Sequence, residues 1–115
     1  MKEAPIPLRK KPAALTPLSM KLLRDEGLMV AVVEKWNPHA KIRQDLFGFV
    51  DLLALGEDQT IAVQVCRRAD IATRRNKIAD HENVGAVRKA GWTIQIHGWD
   101  KDERGRWRVK REDLS

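Results

Sequence analysis

Asp51 is the only polar side chain in an otherwise apolar run of the chain, FGFVDLLAL at 47–55. A short turn sequence separates this run from a second β-rich run, TIAVQVC at 60–66, and such a pair is typical of a β-hairpin. With a four-residue loop, the hairpin pairing places Asp51 directly opposite Gln64. We therefore expect a carboxylate and a carboxamide side by side on one face of a sheet.

A carboxylate inside an apolar strand is costly unless it is paired, hydrogen-bonded or bound to a cation. Carboxylate and amide oxygens are the ligands that hard divalent cations prefer. Asp51 and Gln64 are therefore candidates for a metal site. Two alternatives stay open: Asp51 is a structural acid bonded to backbone or to Arg43, or Gln64 is a core carboxamide satisfied by its neighbours.

The hairpin register also assigns every other side chain of the two strands to a face, because side chains alternate along a strand. One face carries Phe49, Asp51, Leu53, Thr60, Ala62, Gln64 and Cys66. The other face is wholly apolar, with Val50, Leu52, Ala54, Ile61, Val63 and Val65. The polar pair thus occupies one definite position on the sheet.

The rest of the chain predicts an α/β fold in the order α-β-β-β-α-β-β. Thr16 is the expected N-cap of a first helix, 17–26, which stops at Gly27. The predicted strands are 28–36, 47–55, 60–66, 92–97 and 106–110, and a helix broken near 83–85 covers 70–90. The expected sheet is mixed and central, with helices on its sides.

The length of 115 residues fits one domain, 16–115, preceded by a flexible, basic, proline-rich arm, 1–15. The single Cys66 excludes an internal disulfide and a cysteine-rich zinc site. The chain has no apolar run long enough to span a membrane and no secretion-signal pattern at its start. We therefore expect a cytoplasmic protein that does not act at a membrane.

The net charge of +6 is unevenly distributed, because both ends of the chain are basic and the middle is acidic. This pattern suits a nucleic-acid-binding protein whose centre holds a cation; the alternative is a solvated basic surface without a partner. The candidate phosphate-binding residues are Lys41, Arg43, Arg67, Arg68, Arg74, Arg75 and Lys77.

The aromatic and imidazole residues carry weaker signals. Trp92 and Trp107 alternate with polar residues and are expected to face the core, whereas Trp36 and Trp99 end their strands and could stack on bases. The three histidines have no metal-site spacing and are expected at the surface. Cys66 is expected as a small buried hydrophobe, because no histidine lies near it to activate a thiolate.

The element order and the hairpin motif together resemble the PD-(D/E)xK nuclease superfamily, which has the restriction-endonuclease-like fold with an α-β-β-β-α-β core. The acid in the second strand and the Q-x-C element thirteen residues later carry this resemblance. It is nearest to the archaeal Holliday junction resolvase type and to phage and bacterial proteins with DLFG-x-x-D followed by Q-x-T or Q-x-C. DLFGFVD at 45–51 matches that motif, and the resemblance covers about 16–100.

The resemblance implies a role for each motif position. Asp51 becomes the second-strand metal acid, Gln64 stands where the second acid belongs, and the Val65 carbonyl is a third ligand of Mg²⁺ or Mn²⁺. Asp45 could restore one carboxylate, so Asp51, Gln64 and Asp45 are the candidate catalytic residues. Cys66 stands where the superfamily has its lysine, and that role would have to move to Arg67, Arg68, Lys41 or Arg43.

Two departures imply a weakened or lost active site. The acid often found in the first helix of the resolvases would fall near Leu18 or Ser19 and is missing, and Gln64 brings no charge to the metal. The predicted function is that of a DNA-binding protein, on branched or duplex DNA, which resembles a Mg²⁺-dependent endonuclease but whose phosphodiester hydrolysis is weak or lost. The resemblance implies a homodimer. The alternative is a non-catalytic DNA-binding or protein-interaction module of phage type that keeps the fold.

Overall fold

A computed structural model describes residues 11–115 of the chain. Its centre is a mixed five-stranded sheet with helices on both faces, so the predicted α/β fold is confirmed. Most of the predicted arm, 1–10, lies outside the described residues. Among the residues described, no helix is long and apolar enough to cross a membrane.

The helices are α1 Leu15–Asp25, α2 Ile71–Ala79 and α3 Val84–Lys89, with a 3₁₀ turn at Arg68–Asp70 before α2. The strands are β1 Met29–Val32, β2 Lys35–Asn37, β3 Ile42–Gln44, β4 Leu52–Leu55, β5 Thr60–Arg67, β6 Thr93–Lys101 and β7 Trp107–Asp113. The sheet order is β1-β4-β5-β6-β7, with β5 and β6 parallel and the other neighbours antiparallel. Strands β2 and β3 form a separate two-stranded ribbon.

The hairpin of β4 and β5 has the predicted register. Leu55 pairs with Thr60 and Leu52 pairs with Val63. The Asp51 amide extends the ladder by donating to the Val63 carbonyl at 2.9 Å. Asp51 therefore lies directly before β4, opposite Gln64 on the neighbouring strand.

The two faces of the hairpin pack against different helices, because alternate side chains point to opposite sides. Leu52, Val63 and Val65 join the apolar cluster beneath α1. Ala62 and Cys66 join the cluster that α2 and α3 cover. The prediction for Val50 is wrong: it lies in the second cluster with Phe49, because the chain turns before β4 and the alternation is interrupted there.

Several predicted boundaries also need correction. The run 28–36 divides into β1 and β2, and the run 47–55 is a strand only from Leu52. The helix α1 begins at Leu15, and its N-cap is Ala14 without a side-chain cap bond, so the Thr16 cap is wrong. The predicted helix over 70–90 consists of α2 and α3, with its break at 80–83.

His97, Trp99 and Trp107 differ from their predicted environments. His97 is completely buried rather than at the surface, because it faces α1 and bonds to Ser19. Trp99 is buried and donates to the same hydroxyl, so it is not a stacking surface. Trp107 is exposed on the edge strand β7, where the Lys101 ammonium lies over its ring at 4.8 Å.

Candidate metal centre and its cationic cleft

A tight turn brings Asp45 and Asp51 together. The backbones of Leu46 and Val50 exchange two hydrogen bonds, each of 3.0 Å, and the two acids lie directly beyond this bridge on either strand of the turn. Gly48 permits the turn because its φ is +89°, in the left-handed region that favours glycine. The six-residue spacing of the two acids thus becomes a side-by-side pair of carboxyl groups.

A third carboxyl group reaches the same place from the end of β1. The Val33 amide donates to the Asp51 carbonyl at 2.9 Å, and this bond holds the following residue, Glu34, beside the turn. One oxygen from each of Glu34, Asp45 and Asp51 lies within 4.8 Å of the others. Three separate parts of the chain therefore supply one carboxylate cluster.

Asp51 is 1% exposed, and its Oδ2 atom accepts two hydrogen bonds and forms one ion pair. Gln64 Nε2 donates to it at 2.7 Å, the Val65 amide donates at 2.8 Å, and the Lys11 ammonium lies at 3.0 Å. Because the carbonyl and amide of one strand residue face the same neighbour, the Val65 carbonyl also faces this side. Asp51 is thus hydrogen-bonded to the backbone, as one alternative expected, but Arg43 is not its partner.

Lys11 lies between two of the carboxylates. Its Nζ atom is 3.0 Å from Asp51 and 3.1 Å from Glu34, and its side chain is only 15% exposed. Arg43 approaches the outer side of Glu34 at 3.7 Å. The cluster therefore contains its own cation, supplied from a segment that the sequence assigned to a flexible arm.

The carboxyl groups titrate differently. Burial, the Asp51 charge and a hydrogen bond to Asp51 raise the pKa of Asp45 to about 7. Burial acts to raise the pKa of Asp51 as well, but the Lys11 charge and the hydrogen bonds from Asp45 and Val65 outweigh it and lower that pKa. Near neutral pH the pair therefore holds one proton, which resides on Asp45, because two adjacent carboxyl groups do not readily ionise together.

Gln64 provides the test of whether a metal fits this cluster. Its carboxamide lies against Asp51, yet its Oε1 atom is buried and has no hydrogen-bond partner within 11–115. A buried acceptor without a partner is rare in native structures and calls for an explanation. Rotating the carboxamide by half a turn would direct this oxygen at the carboxylates, which completes a set of hard oxygen donors. With the carboxamide in that orientation, the residues present would fit a hard divalent cation.

A cleft of about 410 Å³ opens beside the cluster. Its lining includes Asp45 and two cations, Arg43 from β3 and Lys77 from α2, together with Gln44 and Gly48. The cleft therefore combines one carboxyl group of the cluster with two cations. Of the residues predicted to bind phosphate, Arg43 and Lys77 line this cleft.

The other predicted cations lie elsewhere. Lys41 is exposed in the turn between β2 and β3, and Arg68 is exposed after β5 with Arg67 half-buried beside it. Arg75 donates to Glu112 at 2.8 and 2.7 Å. Arg74 is 8% exposed and is therefore not a surface residue.

Cys66 is fully buried in the apolar cluster beneath α2. Burial raises the pKa of its thiol to about 11, so the thiol stays protonated at neutral pH. The expected small buried hydrophobe is what the structure contains. Neither nucleophilic chemistry nor a charged contact with phosphate fits this position.

Sequence reasoning missed Glu34 and Lys11. Glu34 is the first acid after the apolar run of β1, a signal comparable to that of Asp51. Lys11 carries no such signal, because a lysine in a proline-rich basic stretch is expected to be solvated. Comparison with protein-family models gives no match for this chain, and comparison with curated proteins gives none at a significant level.

Proposed function

We propose that this protein binds DNA and hydrolyses its phosphodiester bonds with Mg²⁺ or Mn²⁺ held by the carboxylate cluster. The observation that supports the proposal is the convergence of three carboxyl groups with the buried Gln64 carboxamide, which lies against Asp51 through its Nε2 atom and whose oxygen has no partner within 11–115. The adjoining cleft with Arg43 and Lys77 supports a phosphate-containing substrate. The resemblance to the PD-(D/E)xK superfamily points to the same chemistry.

In this proposal, Asp51, Asp45, Glu34 and the Gln64 oxygen hold the metal ion. The bound ion would supply a Lewis acid and lower the pKa of a water molecule. Arg43 and Lys77 bind and orient the phosphates of the substrate along the cleft.

Cys66 stands at the position of the superfamily's lysine but cannot supply its positive charge. Lys11 supplies that charge instead. Its ammonium already lies at hydrogen-bond distance from Asp51, on a long and flexible stem. Displaced from Asp51 by a metal ion, it would remain beside the cluster as a donor to a phosphate oxygen or to water. This role requires a position near the cluster and does not require a position on β5.

Thermal unfolding with and without Mn²⁺ tests the proposal. A ligand at 100 times its Kd stabilises the folded state by about 2.7 kcal/mol, so the wild-type melting temperature should rise with Mn²⁺. Asp51→Asn removes the most buried carboxylate and should abolish that rise. The same variant should abolish Mn²⁺-dependent nicking of supercoiled plasmid DNA.

Asp58→Asn is the matched control, because Asp58 is exposed in the turn between β4 and β5. This variant should retain both the Mn²⁺ shift and the nicking. A wild-type protein whose melting temperature does not respond to Mn²⁺ would contradict the metal site. A wild type that responds but never nicks DNA would contradict the hydrolytic activity alone.

A non-catalytic DNA-binding module is the second candidate, and Lys11 is the observation that favours it. Its ammonium offsets the charges of Asp51 and Glu34 without any metal ion. A module of this kind should bind DNA equally well in Mn²⁺ and in EDTA. Lys11→Ala should then destabilise it, because two buried carboxylates would lose their counter-ion.

A further inference from the structure

The backbone of Phe47 adopts a conformation that its side chain does not favour. Its φ is +55°, in the left-handed region, where a Cβ atom comes too close to the following carbonyl. A residue in this state persists only where the surrounding structure holds it. Whatever holds Phe47 therefore also holds the turn over 46–50, which places Asp45 beside Asp51.

Two side chains on the α2–α3 side of the sheet contact Phe47. Asn83 lies between α2 and α3, is half-buried, and donates from its Nδ2 atom to the Phe47 carbonyl at 3.1 Å. The Trp92 ring lies against the Phe47 ring, with 5.8 Å between the centroids and 51° between the planes. Asn83 thus fixes the backbone of this residue, and Trp92 supports its side chain.

The contact with Phe47 replaces the usual use of an asparagine at the start of a helix. Asn83 is the N-cap residue of α3, where the side-chain oxygen commonly accepts an amide of the first turn. Within residues 11–115, its side chain makes no such capping bond. A residue that breaks a local rule in this way is expected to serve another part of the fold. The side chain of Asn83 therefore serves the turn and not its own helix.

A single peptide group connects Asn83 with Asp45. The Phe47 carbonyl and the Gly48 amide belong to the same planar group. The Gly48 amide donates to the Asp45 carbonyl at 3.0 Å, so the two ends of this peptide are bonded to Asn83 and to Asp45. Rotation of the peptide plane would break both bonds together, and glycine offers little steric resistance to it. The Asn83 bond therefore selects the peptide orientation that holds the backbone of Asp45.

We propose that Asn83 is a positioning residue for the metal centre. Through the 47–48 peptide it fixes the backbone of Asp45, and hence the place of that carboxyl group beside Asp51. This inference rests on the proposed function, because it concerns how the same carboxylate cluster is held ready for a metal ion. Groups that orient a metal ligand typically change metal affinity by about 10-fold to 100-fold when they are removed.

Binding of Mn²⁺ to Asn83→Ser tests this proposal, with the paramagnetic resonance signal of free Mn²⁺ as the measure of unbound ion. Serine is as good an N-cap as asparagine, but its hydroxyl is too short to reach the Phe47 carbonyl. The Kd for Mn²⁺ should therefore rise by about 10-fold to 100-fold, although α3 keeps a capping residue. Asn83→Asp keeps the shape of the side chain but has no donor, so it should lose affinity in the same way.

Two further variants and a metal-free measurement make the result specific. Asn83→Gln retains a carboxamide donor and should restore most of the affinity. Asn76→Ser makes the matched change at an exposed position on α2 and should leave the Kd unchanged. In the metal-free protein, hydrogen exchange of the Gly48 amide, followed by NMR, should lose protection in Asn83→Ser and regain it in Asn83→Gln. Thermal melts should show that each variant is folded at the temperature of these measurements.

Equal Kd values for Mn²⁺ in Asn83→Ser and the wild type would overturn the inference and leave the proposed function intact. Equal increases of the Kd in Asn83→Ser and Asn76→Ser would overturn it as well, since the effect would then not come from the turn. Unchanged exchange of the Gly48 amide in Asn83→Ser would show that the peptide keeps its orientation without Asn83, which also overturns the inference. A wild type that binds no Mn²⁺ would overturn the proposed metal centre and the positioning role with it.

Discussion

His97 shows how a single buried side chain can tie two layers of the fold together. The Trp99 indole N–H donates to the Ser19 hydroxyl at 2.8 Å, and that hydroxyl lies 2.9 Å from His97 Nδ1. Because indole nitrogen only donates, the serine proton is left for His97 Nδ1, and Nε2 donates to Gln95. These bonds hold the imidazole in its neutral form and connect β6 to α1.

This arrangement predicts a loss of stability in mild acid. Burial and the nearby Arg111 charge lower the pKa of His97 to about 4, against an ordinary 6.5. Between those pH values the unfolded chain binds a proton at His97 and the folded chain does not. The contribution of the neutral ring to the free energy of unfolding is therefore fully present above pH 6.5, and it is lost as the pH falls toward 4. The loss should reach about 3 kcal/mol.

Urea unfolding of the wild type and of His97→Gln at several pH values measures this loss. The variant lacks the titrating ring, so the difference in unfolding free energy between the two proteins should shrink as the pH falls from 7 to about 4. The carboxyl groups titrate in both proteins, so their contributions cancel in the difference between the two unfolding free energies. A difference that stays constant with pH would contradict the buried, neutral histidine.

The turn over 46–50 holds two carboxyl groups of the cluster, Asp45 and Asp51, side by side. Gly48 has a φ of +89°, and a Cβ atom there would collide with the His81 ring. Gly48→Ala should therefore lower the unfolding free energy by at least about 1–2 kcal/mol, the cost of a left-handed alanine, with the collision in addition. It should also remove the Mn²⁺-dependent rise in melting temperature, because Asp45 and Asp51 would separate.

Gly85→Ala is the matched control for this prediction. Gly85 lies in α3, where an added Cβ would meet no atom within 4 Å. Alanine in a helix is favoured over glycine, so this variant should be more stable by about 0.5–1 kcal/mol and should keep its Mn²⁺ response. Equal melting temperatures for Gly48→Ala and the wild type would show that the turn is not strained by a side chain.

The same turn marks the limit of what the sequence could predict. The register of β4 and β5, and with it the contact between Asp51 and Gln64, followed from the loop length and the two-residue period of the strands. The period ended at Val50, where the backbone leaves strand geometry, so that residue was assigned to the wrong face.

Elements without a pattern could not be predicted at all. The ribbon strands β2 and β3 have three residues each and bury almost nothing, so they lack hydrophobic periodicity. Lys11 meets Asp51 across forty positions of sequence, and only the folded chain brings them together. The sequence therefore predicted the site residues of the regular hairpin, Asp51 and Gln64. It did not predict Glu34 and Lys11, which lie outside the hairpin.

The five-stranded sheet has two edges, β1 and β7, that differ in character. Strand β7 exposes arginine and lysine side chains, whereas β1 at the opposite edge exposes Met29 and Val32. An apolar edge strand is open to pairing with another chain, and charged residues discourage such pairing. The homodimer remains a prediction, and β1 is the edge at which we expect it.

The two cations of the cleft should bind DNA phosphates if the proposed function holds. Arg43 and Lys77 line the cleft from β3 and α2, and each cation that contacts a phosphate releases a counter-ion. Replacing both with alanine should weaken binding to every DNA sequence about equally. The slope of log affinity against log salt on duplex DNA should become less negative by about 1.8, or about 0.9 per phosphate contact.

Lys21→Ala with Arg24→Ala is the control pair with the same change of charge. Both residues are exposed on α1, which packs on the face of the sheet opposite α2. If DNA is held at the cleft, this pair should leave the salt slope within error of the wild type. Equal effects of the two double variants would instead show that the net charge of +6 attracts DNA without a defined surface. The comparison therefore separates a located binding site from a diffuse electrostatic attraction.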